Sequence, residues 1–543
     1  MKDLILKYAL KNAFEYNGKA NFNSILGKIL NEKPELRQNI KELAKEIKDI
    51  IKKVNSMKLQ DIEKELSKYK FEEKLDEKKD FKELRNVYGK VKTRLAPEPS
   101  KYLHIGHALV FIINYEYSKK YHGNCILRLE DTNPEKASNE YIKSILEDLK
   151  WLKIKYNKKI ICSKRIKIYY DYAEKLINLG KVYVCFCSRE KIKELRHEKL
   201  RCSCFNNNIN ENLKYWKEML AKKYLPGKAS LRLVGDMQSD NGVLRDPIIF
   251  RISNAKHYLF NKKYIVWPLY DFENSIEDSI EKITHVVRSK EFELRAELQD
   301  LIKDYLDLSK QEVIEIGRFN IFGATTQGRE IRKLIEEKKV LGWDDPKLVT
   351  IKALRRRGFI SESFYELAKE AGLSKSETNI DIRVLSSINR KLIDKKTKRY
   401  FAVFNPKKIK IKDAPKLKVK APLHPSLNKG FRNFNTGNEF YIQDKIEKNK
   451  NYRLMHLFNF KNNTFISKDL DKNLNTQMLH WLPVSKNLVN VEVLMDNGEI
   501  IKGFGEESLK KVKVNELIQF ERLMFCRLDK KEKSKLTFWF THK

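Results

Sequence analysis

The chain has 543 residues, too many for one hydrophobic core, so about three to five domains are expected. Lysine and arginine number 111 against 73 aspartates and glutamates, a net charge of +38 that favours polyanionic partners, nucleic acid first. Genome bias would give the same excess, so composition alone leaves the partner open. The longest apolar run, near Ala108–Asn114, is far short of the ~20 residues that cross a bilayer, and residues 1–21 lack a cleavable apolar core, so a cytoplasmic protein without a membrane partner is expected.

Residues 1–88 are predicted to be helical. Apolar residues recur at helical spacing from Ile40 to Val54, and Pro34 stands where a helix would begin. Lysines and glutamates fill the other positions, as on a solvated face. The charged stretch from Glu72 to Lys82 is typical of a linker or a helix end, and a new domain is expected near Asn86.

From Val91 the pattern predicts a β-α-β unit. A short strand at Val91–Leu95 is followed by a loop with two prolines, a helix at about 105–120 and a strand at Cys125–Leu129. Such a unit implies a parallel sheet whose ligand lies at the carboxyl ends of the strands. The loop 96–107 and the residues after Leu129 should therefore converge on one site.

The remaining chain divides into a helical and a β-rich part. Residues 341–400 are predicted to be helical, with three consecutive arginines at Arg355–Arg357. From residue 401 the apolar pattern has a period of two, as in Val489–Val493, which predicts a basic all-β region. Asn497-Gly498 is the expected two-residue hairpin turn.

The segment from Arg94 to His107 is the most informative one. His104 and His107 are three residues apart at the first turn of the predicted helix, so both imidazoles project to one side near unpaired N–H groups that attract phosphate. Gly106 permits close approach of a ring or sugar, and two imidazoles can donate hydrogen bonds to a phosphate oxygen. A solvated helix start or a metal pair would have the same spacing, but the strand-loop-helix context favours a nucleotide site.

His104-Ile105-Gly106-His107 resembles the H-I-G-H signature of class I aminoacyl-tRNA synthetases. The R-x-A-P-x-P-S motif from Arg94 and the segment Arg128–Pro134 are similar to the glutamyl and glutaminyl enzymes. The helical front segment and the β-rich tail resemble the archaeal branch. Further similar segments are Leu244–Asp246, Phe250–Arg251, Trp267–Phe272, Thr284–Arg288, Gly342–Pro346, Leu354–Gly358 and Gln519–Arg522.

This resemblance implies an α/β fold with a Rossmann-type parallel sheet and β-barrels that read the anticodon. An unpaired loop base is read by stacking and edge contacts, which suits the basic β tail. The predicted domains are a helical N-terminal region (1–88), the first half of the catalytic Rossmann domain (89–180), an acceptor-binding insertion (181–262), the second catalytic half (263–340), a helical stem-contact region (341–400) and the anticodon-binding β-barrels (401–543).

The resemblance also implies a reaction, in which glutamate attacks the α-phosphate of ATP and is then transferred to the terminal ribose of tRNA(Glu). Positioning and charge stabilisation would lower the barrier, with Mg²⁺ neutralising the phosphates. The residues carried over as catalytic are His104, Gly106 and His107. Those carried over as ATP-binding are Pro97, His104, His107, Gln327, Gly328 and Arg329.

Glutamate has two carboxylates and one amine, which call for guanidinium groups and an acid. By the resemblance, Arg94 and Arg288 would bind the carboxylates, Glu130 the α-amino group, and Tyr270 would line the pocket. Isolated arginines in so charged a chain are more often surface ion-pair partners, but the surrounding motifs favour the binding role.

The second class I signature, a K-M-S-K-S-like loop over the triphosphate, departs from the family pattern. Residues 323–332 are G-A-T-T-Q-G-R-E-I-R, with Gln327 at the expected serine and Gly328 where many relatives have lysine or threonine. The lack of a mobile cation would weaken transition-state binding of the phosphates. Arg329 is the expected substitute.

Two smaller departures accompany it. Lys101 replaces a glycine that is common before the first histidine, and Ser279–Lys282 replaces an H-L-L-G run. Divergence explains both, and a paralogue that has lost aminoacylation but kept RNA binding is the alternative from another functional class.

Cys185, Cys187, Cys202 and Cys204 form two C-x-C pairs. In a reduced compartment this pattern favours a metal over disulfides, and four thiolates complete a tetrahedral Zn²⁺ shell. Some glutamyl synthetases are similar in carrying a structural zinc in the acceptor-binding insertion. Four reduced cysteines without metal are the alternative.

Three points stay open from the sequence. A glutaminyl-tRNA synthetase shares the fold and the signatures, so the amino acid depends on a few pocket residues. Charging of tRNA(Gln) beside tRNA(Glu) depends on anticodon contacts that cannot be mapped, and a monomer and a dimer are equally compatible. No DNA partner is expected.

Overall fold

The computed structural model describes residues 2–15, 19–57, 59–66, 68–69, 81–322, 324–376 and 378–543. The chain forms two compact units, Met1–Lys79 and Asp80–Lys543. The predicted linker at 72–82 lies outside the described residues except for its last two positions. In the part of the chain that is described, no helix is both long and apolar enough to cross a bilayer.

The first unit is helical, as its apolar spacing predicts. Within α3, Leu43, Ile47 and Val54 lie on one buried face at helical intervals, against buried residues of the other helices. Pro34 begins a 3-10 segment, Pro34–Asn39, and the α-helix starts only at Ile40. The helices are α1 (Lys2–Glu15), α2 (Phe22–Glu32), α3 (Ile40–Asn55) and α4 (Leu59–Leu66).

The second unit begins with a parallel β-α-β sheet, in agreement with the predicted unit. The strand order is β1-β2-β3, with Arg94 opposite Ile126 and Arg128 opposite Ile160. Phe81 is buried in the same core, so the chain belongs to this unit from that residue. The elements are β1 (Lys92–Leu95), α5 (Ile105–Lys120), β2 (Asn124–Leu129), α6 (Asn139–Trp151), β3 (Lys158–Ile161) and α7 (Ile166–Asn178).

An antiparallel sheet with its own core follows. Its order is β4-β5-β6-β7, and Trp216 and Phe250 are fully buried beneath it. The last strand lies beyond residue 262, where the predicted insertion ends; the predicted domain boundaries stay predictions. The elements are β4 (Val182–Cys185), α8 (Arg189–His197), α9 (Ile209–Leu220), β5 (Ser230–Leu233), β6 (Ile248–Ile252) and β7 (Val266–Pro268).

The chain then returns to the parallel layer. The Thr284 N–H donates to the Lys92 carbonyl at 3.0 Å, which brings β8 beside β1. The Asn114 side chain on α5 donates to the Val287 carbonyl at 3.0 Å, fastening the helix over this junction. The elements are α10 (Tyr270–Ile280), β8 (His285–Ser289), α11 (Glu293–Leu306), β9 (Glu312–Ile316), β10 (Phe319–Ile321), α12 (Gly328–Glu336), α13 (Ile351–Arg357), α14 (Ser361–Ala371), β11 (Thr378–Ile380) and α15 (Ile382–Asp394).

The C-terminal region is all-β, as predicted, and has two cores. One is built around Trp481 and Phe440, the other around Phe538 and Phe520. The second core underlies a seven-stranded sheet of order β12-β25-β26-β27-β23-β24-β13. The strands are β12 (Lys398–Tyr400), β13 (Ala402–Phe404), β14 (Lys407–Lys410), β15 (Lys418–Pro422), β16 (Phe431–Asn435), β17 (Glu439–Ile442), β18 (Asn451–Leu454), β19 (Asn459–Lys461), β20 (Thr464–Ser467), β21 (Gln477–Leu479), β22 (Trp481–Pro483), β23 (Val489–Leu494), β24 (Ile500–Gly505), β25 (Leu517–Phe520), β26 (Met524–Lys531) and β27 (Lys535–His542).

The hairpin between β23 and β24 is present, but its predicted two-residue turn is wrong. Met495 pairs with Glu499 through an N–H···O bond of 2.8 Å, which leaves a three-residue loop. Gly498 adopts φ 87° after the turn. A left-handed glycine at this position is typical of three-residue hairpin loops that end in a bulge.

Two of the three consecutive arginines bind the last strands of the protein. Arg356 makes paired hydrogen bonds of 3.0 and 2.9 Å to Asp529 and lies 4.1 Å from the Trp539 ring. Arg357 is buried and donates to the Thr541 carbonyl at 3.0 Å. Arg355 stays partly exposed, 3.9 Å from Glu147. The end of α13 is thus fixed to the last strands.

Candidate functional site: a histidine pair and a buried ion-pair cluster

The two signature histidines close the first turn of α5 with their own side chains. His104 is the N-cap residue, and its Nδ1 accepts from the Gly106 N–H at 3.1 Å. The His107 Nδ1 accepts from the His104 N–H at 3.2 Å. The ring centroids are 3.9 Å apart. This is a reciprocal capping box built from imidazoles, and it fixes both rings on one side of the helix start.

Both imidazoles are neutral in this environment. Burial, reinforced by the charges of Lys101 and Arg318, lowers the pKa of His104 to about 3. Burial also lowers the pKa of His107 well below its usual range. Because each Nδ1 accepts a backbone hydrogen bond, the single ring proton must be on Nε2. Each ring therefore presents one fixed N–H donor to whatever lies in front of the helix.

The loop before α5 is held from both sides. The Glu130 N–H donates to the Pro97 carbonyl at 3.1 Å, which ties the loop to the end of β2. The Ile351 N–H donates to the Leu103 carbonyl at 2.9 Å, and the Ile105 N–H to the Val349 carbonyl at 3.3 Å. The segment before α13 thus buttresses the signature, a contact between distant parts of the chain that sequence patterns could not reveal.

A buried cluster of charges lies at the carboxyl ends of β1 and β2. Asp278 on α10 accepts from the Arg128 guanidinium at 2.6 Å and from the Arg94 Nε at 3.2 Å. Glu130 accepts from Arg128 at 2.9 Å and from Asn274 at 3.1 Å. All four ionised side chains are less than a tenth exposed. Arg128 belongs to the Arg128–Pro134 motif, but no motif indicated a role for Asp278, which forms an acidic pair with Glu277 in the sequence.

The two carboxyl groups of this cluster respond differently to their surroundings. Burial raises the pKa of Glu130, outweighing the nearby Arg128 and Arg94 charges. For Asp278, burial acts in the same direction, but Arg128 and Arg94 outweigh it and the pKa is lowered. Asp278 is therefore a fixed anion between two guanidinium groups.

Tyr270 and Arg288 border the same cluster. Burial raises the pKa of the Tyr270 phenol, and the charges of Glu130, Arg94 and Arg288 all act on it, so these predicted residues are brought together. Arg288 donates to Gln299 at 2.7 Å, and its buried Nε has no hydrogen-bond partner among the described residues. An unpaired buried N–H favours an oxygen ligand.

The second loop lies against the first signature. Arg332 on α12 donates to the Ser100 carbonyl at 3.1 Å. Gln327 is the exposed N-cap residue of α12 and makes no side-chain cap, Gly328 is buried, and Arg329 is exposed in the first turn. Gly323, the first residue of the predicted loop, lies outside the described residues. The structure thus places Gly328 near the loop before α5, whereas Gln327 and Arg329 lie at the surface.

The four cysteines converge at one end of the antiparallel sheet. All four Sγ atoms lie within 4.8 Å of one another, and Cys185 and Cys202 are 3.7 Å apart. Four ligands on a tetrahedral Zn²⁺ with Zn–S of about 2.3 Å would be about 3.8 Å apart, so the donor set fits this ion. The fully buried Arg232 lies 3.6 Å from the Cys202 Sγ and 3.8 Å from the Cys185 Sγ. The C-x-C spacing predicted that the four cysteines form a cluster. No sequence pattern indicated that Arg232 lies beside them.

Comparison with known proteins decides the family. Residues 90–395 match the family described as tRNA synthetases class I (E and Q), catalytic domain, and residues 397–480 match the anti-codon binding domain of the same group. The chain therefore belongs to the class I tRNA synthetases of the E and Q group. This confirms the resemblance that the H-I-G-H signature indicated, and with it the predicted fold class.

Several archaeal proteins match the chain over nearly its full length. The chain is 39% identical over 556 residues to a glutamate–tRNA ligase of Methanocaldococcus jannaschii, with 100% of both chains covered. It is 39% identical to one of Nitrosopumilus maritimus, covering 100% of this chain and 99% of the relative, and 37% identical to one of Pyrococcus furiosus, covering 100% of both. A crystal structure of a glutamate tRNA ligase from Elizabethkingia meningosepticum covers 56% of this chain and 70% of its own, with 18% identity and a TM-score of 0.39.

Proposed function

We propose that the chain is a glutamate–tRNA ligase, which activates L-glutamate with ATP and transfers it to the 3′ end of tRNA(Glu). The proposal is carried by the neutral histidine pair at the start of α5 and the buried arginine–carboxylate cluster at the ends of β1 and β2, which are linked by the bond from the Glu130 N–H to the Pro97 carbonyl in the loop before α5. Glutamate–tRNA ligases that match the whole chain support the choice of amino acid.

Activation forms a mixed anhydride. An oxygen of the glutamate α-carboxylate attacks the α-phosphorus of ATP, the bond from that phosphorus to the bridging oxygen breaks, and pyrophosphate leaves with the electron pair. Mg²⁺ bound with ATP would offset part of the negative charge of the phosphates. The Nε2–H groups of His104 and His107 donate to phosphate oxygens, and their fixed orientation costs no reorganisation during the reaction.

Glutamate recognition uses the atoms that the buried cluster leaves open. Arg94 contacts Asp278 through Nε only, so its terminal nitrogens are without a hydrogen bond among the described residues and can pair with a carboxylate. Arg288 offers its unpaired Nε to the other carboxylate. Arg128 donates to one carboxylate oxygen of Glu130. The other oxygen accepts a hydrogen bond from the α-amino group of glutamate. The Tyr270 hydroxyl lines the same pocket.

Transfer completes the reaction at the tRNA terminus. The terminal ribose hydroxyl attacks the carbonyl carbon of the anhydride, an ester bond forms, AMP leaves, and the hydroxyl proton is released. The net charge of +38 suits a polyanionic RNA partner, and the basic β region is assigned to the anticodon. Charging of tRNA(Gln) beside tRNA(Glu) is left to the experiment below.

Zn²⁺ is proposed as a structural ion. Cys185, Cys187, Cys202 and Cys204 would hold it with four thiolates and leave no open position for substrate. Cross-linking the end of β4 to the segment before α9 is the role that this ligand set supports.

Acylation by the pure chain tests the proposal. ATP–pyrophosphate exchange and aminoacylation are measured with glutamate and with glutamine, in the presence of Mg²⁺ and of purified tRNA(Glu) or tRNA(Gln). We expect glutamate-dependent exchange and charging of tRNA(Glu). Preferential charging of glutamine would end the glutamyl assignment, and absent exchange with tight, salt-sensitive tRNA binding would favour a non-catalytic paralogue.

A further inference from the structure

Two departures from the family pattern, far apart in sequence, touch each other in the structure. By the resemblance to the synthetase signatures, Lys101 stands where a glycine is expected in the first signature loop, and Gly328 where lysine or threonine is expected in the second. A Cβ built on Gly328 would lie 3.1 Å from the Lys101 Cβ and 3.2 Å from its Cδ. A larger residue at 328 would displace the lysine stem, so the two substitutions fit each other sterically.

The contact lies beside the histidine pair. The hydrogen bond from Arg332 to the Ser100 carbonyl, 3.1 Å long, keeps α12 against the residue before Lys101. The Lys101 charge acts on both His104 and His107. The lysine is therefore close to the atoms that are proposed to face the phosphates of ATP.

Lys101 is a half-buried cation without a counter-charge in contact. Among the described residues its ammonium group makes no hydrogen bond and no ion pair within 4 Å. Burial lowers its pKa, and the charges of Glu98 and Glu291 act in the opposite direction. A half-buried ammonium group without a bonded partner favours an anionic ligand, which would stabilise its charged form. The second loop, residues 323–332, has two basic residues: Arg329 is exposed, and Arg332 donates to the Ser100 carbonyl.

We propose that Lys101 supplies, from the first signature loop, the cation that binds the ATP phosphates during glutamate activation, and that Gly328 makes room for it. The role rests on the proposed function. Negative charge grows on the bridging oxygen as pyrophosphate leaves, so an ammonium group there stabilises the transition state more than bound ATP. No proton or electron moves to the lysine.

The central test is Lys101→Met, which keeps the stem that packs against Gly328 and removes the charge. With tRNA, glutamate and Mg²⁺ present, we expect pyrophosphate exchange to fall by about 100-fold, mostly in kcat. Transfer from supplied glutamyl-adenylate to tRNA should be unchanged, because that step releases no pyrophosphate. Lys101→Arg should keep most of the exchange, and Lys150→Met, at an exposed lysine in the last turn of α6, should leave both reactions unchanged.

The steric part of the proposal, that Gly328 makes room for Lys101, is tested by exchanging the two residues. Gly328→Lys alone should impair exchange, because the new side chain meets the Lys101 stem, and Lys101→Gly combined with Gly328→Lys should restore it. Thermal melting of each variant identifies a folding defect. Wild-type exchange in Lys101→Met, or equal loss in the exchange and transfer steps, would overturn the inference.

Failure of the proposed function gives a different result. A wild-type chain without exchange for any amino acid would contradict that function, and equilibrium dialysis with Mg²⁺–ATP then decides the role of Lys101. Binding about tenfold weaker in Lys101→Met supports phosphate binding by the lysine, and equal binding overturns it.

Discussion

At the scale of single residues, His104 has two separable tasks. Its Nδ1 caps α5, and its Nε2–H is the proposed phosphate donor. His104→Asn keeps a good cap without that donor, whereas His104→Ala removes both. We expect about 100-fold lower pyrophosphate exchange in each variant, with about 1 kcal/mol of stability lost only in the alanine variant. Exchange assays and thermal melts check this; full activity in the asparagine variant would contradict it.

Asp148 on α6 is a buried acid with an expected pH signature. It is 1% exposed, and neither carboxylate oxygen has a hydrogen-bond partner among the described residues. Burial raises its pKa to about 7. The folded state therefore holds a proton that the unfolded chain releases near pH 4, and stability is lost as the pH rises from about 4 to about 7.

Asp148→Asn should remove the loss of stability that ionisation of Asp148 causes as the pH rises. We expect the variant to be more stable than the wild type at pH 8, by at most about 4 kcal/mol, and of similar stability at pH 4. Thermal midpoints at the two pH values measure the difference. Glu147→Gln, at the exposed neighbouring acid, is the control and should show no such pH dependence.

At the scale of secondary-structure elements, Arg432 on β16 joins two parts of the C-terminal region. It forms buried ion pairs with Glu506, after β24, at 3.2 Å and with Glu521, after β25. Arg432→Met leaves the buried Glu506 without its cation and Glu521 with only the His456 contact, and should cost about 3–5 kcal/mol. Urea unfolding followed by tryptophan fluorescence measures this. A loss no larger than that of Lys420→Met, a substitution on the adjacent β15, would contradict the prediction.

The pH dependence of the same cluster follows from Glu521. Burial would raise its pKa, but the hydrogen bond from His456 and the Arg432 charge outweigh burial and hold it at about 2. For a lowered pKa, the stabilisation is present above the unfolded value near 4.3 and is lost as the pH falls toward 2. In Arg432→Met this acid sensitivity should be reduced.

Arg232 on β5 should control how firmly zinc is held. Four thiolates and one Zn²⁺ carry a net charge of −2, and a buried guanidinium beside two of the thiolates offsets part of it. Arg232→Met should weaken zinc affinity by about 10- to 100-fold. Zinc release to a chromogenic chelator, compared with the exposed-site control Lys228→Met, measures it. Equal release rates would contradict the role.

What the sequence could predict at this scale depended on local pattern. The β-α-β unit and the C-terminal strands follow from apolar periodicity, which is a property of short segments, and the structure has them at nearly the predicted bounds. The turn at Asn497-Gly498 was wrong because loop length depends on which residues pair across the strands. The arginine run could not reveal that Arg357 is buried, since its partners lie about 180 residues later.

In the candidate site, too, the sequence predicted the residues that belong to local motifs but not their partners from distant segments. Motif positions placed His104, Arg94 and Glu130, because each belongs to a contiguous segment with a known spacing. The partners that hold them were not predictable, since Asp278 and Val349 come from elements whose packing no short pattern encodes. The contact of Lys101 with Gly328 is of this kind as well.

At the scale of the whole molecule, α13 connects the two ends of the second unit. The backbone at its start is bonded to Leu103, next to the histidine pair, and its last residues are fixed to Asp529 and Thr541 in the final strands. The helix has seven residues and spans about 10 Å. Its two ends therefore cannot move independently.

This linkage sets a limit on how the protein can be shortened. A fragment ending at residue 395 would contain every proposed catalytic side chain, yet it would lose the carbonyl groups and the carboxylate that Arg356 and Arg357 bind. Arg356 would keep only Asp344 and Arg357 only the Pro346 carbonyl, at the end of a short helix whose other end supports the loop before α5. Removing residues 396–543 would thus loosen the support of the loop before α5, so the catalytic residues and the C-terminal strands of the second unit are mechanically linked through α13.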